Sequence, residues 1–341
     1  MANQKILEKP TKLIISIAEF LKRKSIVGKR ICLGYSGGID STALLDILRN
    51  CQKFVNFTIS LAHVNHGWRK ESIFEMQQIQ KFSQENELKA YLYTIPKHSW
   101  TNNIEERYRQ ERLHFFRRLY VEDAFDVLIL AHHAQDAAET TLKRILEGAS
   151  LTKLAGLKEK TSYLGMPIYR PLLSVKKKQL TQYVEDHNLT YFDDSTNFDQ
   201  KYLRNRMRHT LLPLVERCFQ KGISKNLVKL SNRCHDLEEY LMKNTEKFYA
   251  GVYNQTEIIT IDFSSFPSLE PVEVDFFLRR FLESLGAVLS SSQIATIVTC
   301  LIENKYDKRT NTKDFALRIH GKILYIEPIP VSYTHLRAHE T

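Results

Sequence analysis

Apolar residues in the first half of the chain fall into short strand-like runs, each followed by a stretch of helical spacing. Leu13, Ile14, Ile17, Phe20 and Leu21 follow Pro10-Thr11 at amphipathic spacing and predict a covering helix. Strands are expected at Ile31–Leu33, Phe57–Ala62, Ala90–Ile95 and Asp126–Ala131. Helices are expected from about Ser41, over Ser72–Asn86, over Asn103–Glu122 and within His132–Gly148. This alternation predicts an α/β fold with a doubly wound, mostly parallel sheet, helices on both faces and ligands at the carboxyl ends of the strands.

Beyond Leu151 the chain turns more basic and less regular. Lys176-Lys177-Lys178 leads a helix to about His187, Asp193–Asn197 is loop chemistry, and Lys201–His209 restores a helix. The pattern breaks over Glu216–Lys225, which sets the expected division between a catalytic domain at 1–216 and a second part at 217–330. Leu227, Leu230, Cys234, Leu237 and Leu241 then give a long helical connector. A small α+β domain follows, with helices over Val272–Leu285 and Ser290–Asn304 and a hairpin of Phe315–Ile319 with Lys322–Ile326. Residues 331–341 continue no pattern and read as a non-native tail.

Composition narrows the function. The chain has 341 residues with 43% hydrophobic content, enough for a sizeable core. Its formal net charge of +10 favours a polyanionic partner. Five cysteines are scattered without a C-x-x-C pair, which argues for a reducing compartment and against a zinc ribbon or an iron–sulfur site. No stretch is apolar for long enough to span a membrane, so a cytoplasmic protein is expected.

The richest chemistry lies in Ser36-Gly37-Gly38-Ile39-Asp40-Ser41, between the first strand and its helix. Adjacent glycines let backbone N–H groups turn inward, and the helix adds free N–H groups and a positive dipole end, the layout of an anion site. No lysine follows the last glycine, so this is not a Walker loop. Asp40 stands there instead, and a carboxylate beside phosphates makes sense with Mg²⁺ between them. The competing reading is a strand–turn–helix with a polar cap. His63–Arg69 and His132–Glu139 also sit at strand ends, so three polar clusters are expected to converge on one crevice. The histidines lack partners for a convincing zinc set. Asp136 and Glu139 share a helix face, either as a capping box or as ligands for metal or an ammonium group. Arg109 and Arg112 are read either as a solvated ion-paired face or as groups that offset phosphate charge. Arg204 and Arg208, one turn apart, are read either as an exposed basic face or as an RNA surface.

The loop resembles the SGGxDS motif of the PP-loop ATP pyrophosphatases. Taken with His63–Arg69, Arg109, Arg112, Leu130–Thr140, Arg170–Leu173 and Asp194–Arg208, the chain from Arg30 to about Pro213 resembles the tRNA(Ile)-lysidine synthetase family. Gln135 and Ala137 stand where that family carries Asp and Gln, Leu113 where it carries Tyr, and Trp68 where it carries Leu. The resemblance implies a carbon–nitrogen ligase that uses ATP and Mg²⁺. It would join free L-lysine to C2 of the wobble cytidine in the CAU-anticodon isoleucine tRNA through an adenylated tRNA, releasing AMP and pyrophosphate. It implies nucleotide contacts at Ser36, Gly37, Gly38, Ile39, Asp40, Ser41, His63 and Asn65, with Mg²⁺ on Asp40. Reaction roles fall to Asp40, Arg112, Asp136 and Glu139. Contacts to tRNA fall to His66, Arg69, Arg109, His133, Asp194, Asn197, Arg204, Asn205 and Arg208, and a homodimer is one arrangement of the subunits. Two other readings compete. One is another adenylating enzyme, such as a tRNA thiolase or an amidotransferase, disfavoured by the missing paired cysteines and glutaminase segment. The other is a non-catalytic RNA-binding protein, disfavoured by the intact loop.

Overall fold

The computed structural model describes residues 11–65, 67, 71–96, 104–192, 201, 203–255, 257–287 and 289–329. They form two compact units that part between Cys234 and His235.

The first unit is built on a six-stranded sheet of order β3-β2-β1-β4-β6-β5. Its strands are β1 (Arg30–Gly34), β2 (Thr58–Asn65), β3 (Lys89–Thr94), β4 (Val127–Leu130), β5 (Lys160–Tyr163) and β6 (Met166–Tyr169). All neighbours are parallel except β5 against β6. Alternate β1 residues enter opposite cores, as the two-residue period of a strand requires. Ile31 and Leu33 pack with Leu44, Ile47, Leu180 and Val184, whereas Cys32 packs with Phe115, Phe116 and Leu128.

The helices of this unit are α1 (Lys12–Arg23), α2 (Ile39–Cys51), α3 (Glu71–Glu85), α4 (Ile104–Val121), α5 (Ala134–Leu146), α6 (Lys177–Asp186), α7 (Leu203–Arg206) and α8 (Leu212–Phe219). Thr11 caps α1 by accepting from the Ile14 N–H at 3.3 Å, and α1 buries Ile14, Ile17, Ala18, Phe20 and Leu21, the stripe its spacing predicts. The six-stranded sheet therefore is the doubly wound, mostly parallel sheet expected from the sequence. Two corrections arise in this unit. Helix α2 starts at Ile39, capped by Gly38, two residues before the expected start. The Lys160–Tyr169 hairpin follows no apolar pattern in the sequence; its Leu164-Gly165 turn has φ of 46° and 83°, the backbone a tight primed turn demands.

The single helix expected over Lys201–His209 changes its winding part-way. After α7 the backbone runs as a π-helix over Met207–Leu211 before α8 begins. Pro213 accounts for this, because it offers no N–H to the His209 carbonyl and its ring crowds that group.

Helix α9 (Ile223–Thr245) follows a left-handed Gln220 at the end of α8. Its first half packs Leu227 against Ala138 and Leu212, and Cys234 against Leu154 and Ala155. That packing ties it to the first unit, so the compact units part later than the break in sequence pattern over Glu216–Lys225.

The second unit is an antiparallel sheet of order β7-β8-β11-β10-β9, from Val252–Gln255, Ile258–Asp262, Lys308–Asn311 (β9), Phe315–His320 (β10) and Ile323–Pro328 (β11). Helices α10 (Pro271–Ser284) and α11 (Ser291–Ile302) bury Phe277, Leu278, Ile294 and Ile297 with Phe248 and Phe263. The expected hairpin forms with β10 and β11 turning at Gly321.

Candidate functional site

The loop after β1 is held open by its own polar groups. Ser36 and Ser41 hydroxyls lie 3.0 Å apart, the Ser41 hydroxyl donates to the Gly38 carbonyl at 3.1 Å, and the Thr42 hydroxyl donates to the Gly37 carbonyl at 3.3 Å. Gly37 has φ +79°, and a Cβ there would strike the Phe192 ring. At Gly34 a Cβ would lie 2.6 Å from the Leu130 side chain, so backbone packs directly on the neighbouring strand. Gly38 caps α2 with no side-chain acceptor, leaving the first-turn N–H groups for a ligand.

A cavity of about 440 Å³ opens at this end of the sheet. Ser36, Asp40 and Ser41 line it beside His63 and Asn65 from β2, His132 and Asp136 after β4, and Arg112 from α4. The three polar clusters expected at strand ends thus share one crevice, as strand order dictates: β1 lies between β2 and β4. Arg204, Asn205 and Arg208 close it from α7 and the π-turn.

Arg112 carries a buried donor without a partner into the site. Its Nε is buried and has no hydrogen-bond partner among the described residues. Desolvation first, then repulsion from Arg109 and Arg204, brings its pKa down to about 10. A guanidinium so placed awaits an anion. Arg109 instead pairs with Glu106 at 3.0 Å on the exposed side of α4.

The acids are arranged differently from the sequence reading. Asp136 and Glu139 do not form a capping box with each other. His133 caps α5, accepting from the Gln135 N–H at 3.2 Å, while Asp136 Oδ2 accepts from the His133 N–H at 2.9 Å. Glu139, one turn on, is 3% exposed and meets two arginines. Arg204 donates from Nε to Glu139 at 3.0 Å and from Nη2 to Asp136 at 2.5 Å. Arg208 donates from Nε to Glu139 at 2.7 Å and from Nη2 to Asp136 at 3.0 Å. These arginines, Arg204 exposed and Arg208 half-buried, neutralise the carboxylate pair. Burial works against ionised Asp136, but attraction from its cationic neighbours, Arg204 among them, and the His133 N–H outweighs it and holds its pKa at about 2.

The imidazoles are neutral. Burial lowers the pKa values of His63 and His133 and takes His132 to about 3. His63 Nδ1 sits 2.9 Å from the Tyr35 carbonyl, and Asn65 accepts from the Gly67 N–H at 2.7 Å. His66, Arg69, Asp194 and Asn197 lie outside the described residues.

Two further basic groups reach the site, one of them, Lys177, given no site role by the sequence. Lys177 Nζ donates to Asp40 Oδ1 at 2.7 Å. Arg170, 7% exposed, donates to the Lys158 carbonyl and Thr161 hydroxyl and reaches His132 Nδ1 at 3.3 Å. Lys177 reaches Asp40 through the packing of α6 on α2, which no local spacing signals.

The site fits a nucleotide triphosphate: an uncapped loop, a glycine cradle and the unpartnered Arg112 Nε all call for anions. Asp40 and Asp136 offer the hard oxygen donors that Mg²⁺ takes beside phosphates.

Fold and loop together define a PP-loop protein, and residues 10–215 match the family model described as a PP-loop domain. A U34-tRNA thiolase from Methanococcus maripaludis has the same fold, with a TM-score of 0.54 at 17% identity over 66% of this chain and 78% of that one. Among curated proteins, a tRNA(Ile)-lysidine synthase of Chlamydia abortus is 33% identical over 278 residues, covering 81% of this chain and 86% of the relative. That of Chlamydia caviae is 31% identical over 300 residues, 88% and 93% of the two chains. The synthase of Protochlamydia amoebophila is 28% identical over 271 residues, and the chain spans 59% of that relative's length. The chain belongs to the tRNA(Ile)-lysidine synthase family.

Proposed function

We propose that this chain ligates L-lysine to C2 of the wobble cytidine in the CAU-anticodon isoleucine tRNA, driven by cleavage of ATP. In the first step the cytosine O2 attacks the α-phosphorus; an O2–P bond forms and pyrophosphate leaves. In the second, the neutral ε-amine of lysine attacks C2 and the C2–O2 bond breaks. The oxygen departs with AMP, and the surplus amine proton passes to a base, giving lysidine. One observation carries the reading: a single cavity joins an uncapped phosphate loop and the unpartnered Nε of Arg112 to two carboxylates, Asp40 and Asp136, that hold cationic side chains.

In this reading the Ser36–Ser41 backbone grips the β- and γ-phosphates, and Arg112 offsets charge at the α-phosphate. Mg²⁺, held by Asp40, would supply further positive charge to the phosphates. Asp136 and Glu139 take the place of ligand for the lysine ammonium, which resembles the guanidinium groups they hold. Asp136, with its pKa held to about 2, is a weak base while the arginines bind it. It becomes a better proton acceptor once they turn to RNA phosphates. The second unit serves as a further grip on tRNA, and the reaction belongs in the cytoplasm. The reading is supported by the basic balance of the chain and by the family.

The test is AMP release from ATP, lysine and the CAU-anticodon tRNA. Release requiring all three is expected, and release at the same rate without lysine would overturn the assignment.

A further inference from the structure

Walker loops bring a lysine to the phosphates from the residue after the last glycine, and in this chain Asp40 occupies the corresponding stretch of helix start. A lysine arrives by another route. Lys177 opens α6, separated from Asp40 by 137 positions, and its Nζ donates to Asp40 Oδ1 at 2.7 Å. Its backbone is anchored. The preceding segment accepts the Ala134 N–H on the Val175 carbonyl at 3.0 Å, the Tyr183 hydroxyl donates to Asp46 of α2 at 2.7 Å, and Leu180 is fully buried. The tip is freer, with the Lys177 side chain 36% exposed.

An ammonium has three donors and no planar fork, so it can hold a carboxylate and a phosphate oxygen together or pass from one to the other. A triphosphate bound at the first turn of α2 brings several negative charges next to the single charge of Asp40. Without a nearby cation, Asp40 would repel it.

We propose that Lys177 is the phosphate-positioning lysine of this loop. Supplied from α6, it turns from Asp40 to a β- or γ-phosphate oxygen as nucleotide enters, leaving Asp40 free to hold Mg²⁺. The inference rests on the nucleotide reading of the loop and adds a residue that the loop motif does not contain.

Binding of a non-hydrolysable ATP analogue to the full chain, by calorimetry in EDTA and again in Mg²⁺, tests it. Lys177→Met weakens binding in EDTA about tenfold or more, the loss of one charge-assisted hydrogen bond, and Lys177→Arg restores most of it. Asp40→Asn has the opposite sign in EDTA: the analogue binds more tightly, because its repeller is gone and Lys177 is released. Adding Lys177→Met to Asp40→Asn removes that gain. A role confined to holding α6 against α2 predicts no such reversal. Unchanged affinity of Lys177→Met in EDTA, or an Asp40→Asn gain that survives Lys177→Met, overturns the inference. If the unsubstituted chain binds no analogue under either condition, the nucleotide reading of the loop fails instead.

Discussion

Phe192 fastens Gly37 from two directions. Its N–H donates to the Gly37 carbonyl at 2.8 Å, and its ring fills the space that a side chain on Gly37 would need. The loop curvature is therefore set partly by a residue far along the chain. Gly37→Ala adds a left-handed backbone penalty of about 1–2 kcal/mol to a steric clash with that ring. Nucleotide affinity is expected to fall more than about tenfold, read by calorimetry, and Phe192→Ala in the same chain should restore only the part due to the clash.

Arg112 separates function from stability. A cation with a buried, unpartnered Nε and a pKa brought down to about 10 is a burden on the folded state. Arg112→Met is expected to leave the thermal midpoint unchanged or raised while cutting AMP formation by about a hundredfold or more. A melt that drops by many degrees would make Arg112 a structural residue instead.

Glu139 accepts from both Arg204 and Arg208, whose side chains are 47% and 27% exposed. Glu139→Ala lets both arginines turn to water, so the expected loss is about 1–3 kcal/mol, below the cost of stranding a fully buried charge. The KM for lysine should rise more than the KM for ATP. Equal effects on the two substrates would argue against an ammonium site.

The sign of the pH dependence follows from the histidines. His63, His132 and His133 stay neutral in the folded chain because burial lowers each below its ordinary value. The unfolded chain protonates them near pH 6.5, so below that pH it binds more protons and stability falls. Asp136, held to about 2, adds a loss in the same direction at lower pH still. Urea midpoints are expected to decline from pH 7.5 to 5, with a slope of up to about 1.4 kcal/mol per pH unit for each histidine. His132→Gln should flatten the curve; an unchanged slope would contradict its neutral burial.

The alternating core of the first unit was legible because each central strand is buried on two faces and reads as an apolar run. The Lys160–Tyr169 hairpin was not, since Lys160, Thr161 and Ser162 lack such a run and Pro167 argues against a strand. Edge strand Lys308–Asn311 is polar throughout and gave no signal either. The turn at Ser36–Ser41 was legible because its geometry is local to six residues. The roles of Asp136 and Glu139 were harder, since a three-residue spacing fits several caps and the true box partner is His133. Lys177 meets Asp40 only through the packing of α6 on α2, a relation that residue spacing does not encode.

Strand β1 has one neighbour that precedes α3 and another that follows α4, and the helices on its two sides enter separate cores. The crevice is thus a by-product of how the ribbon is wound, not something carved by large side chains. Its walls can exchange residues while its floor keeps its shape. Replacements along the far wall would then alter what can bind there while the turn after β1 stays as the strand order sets it.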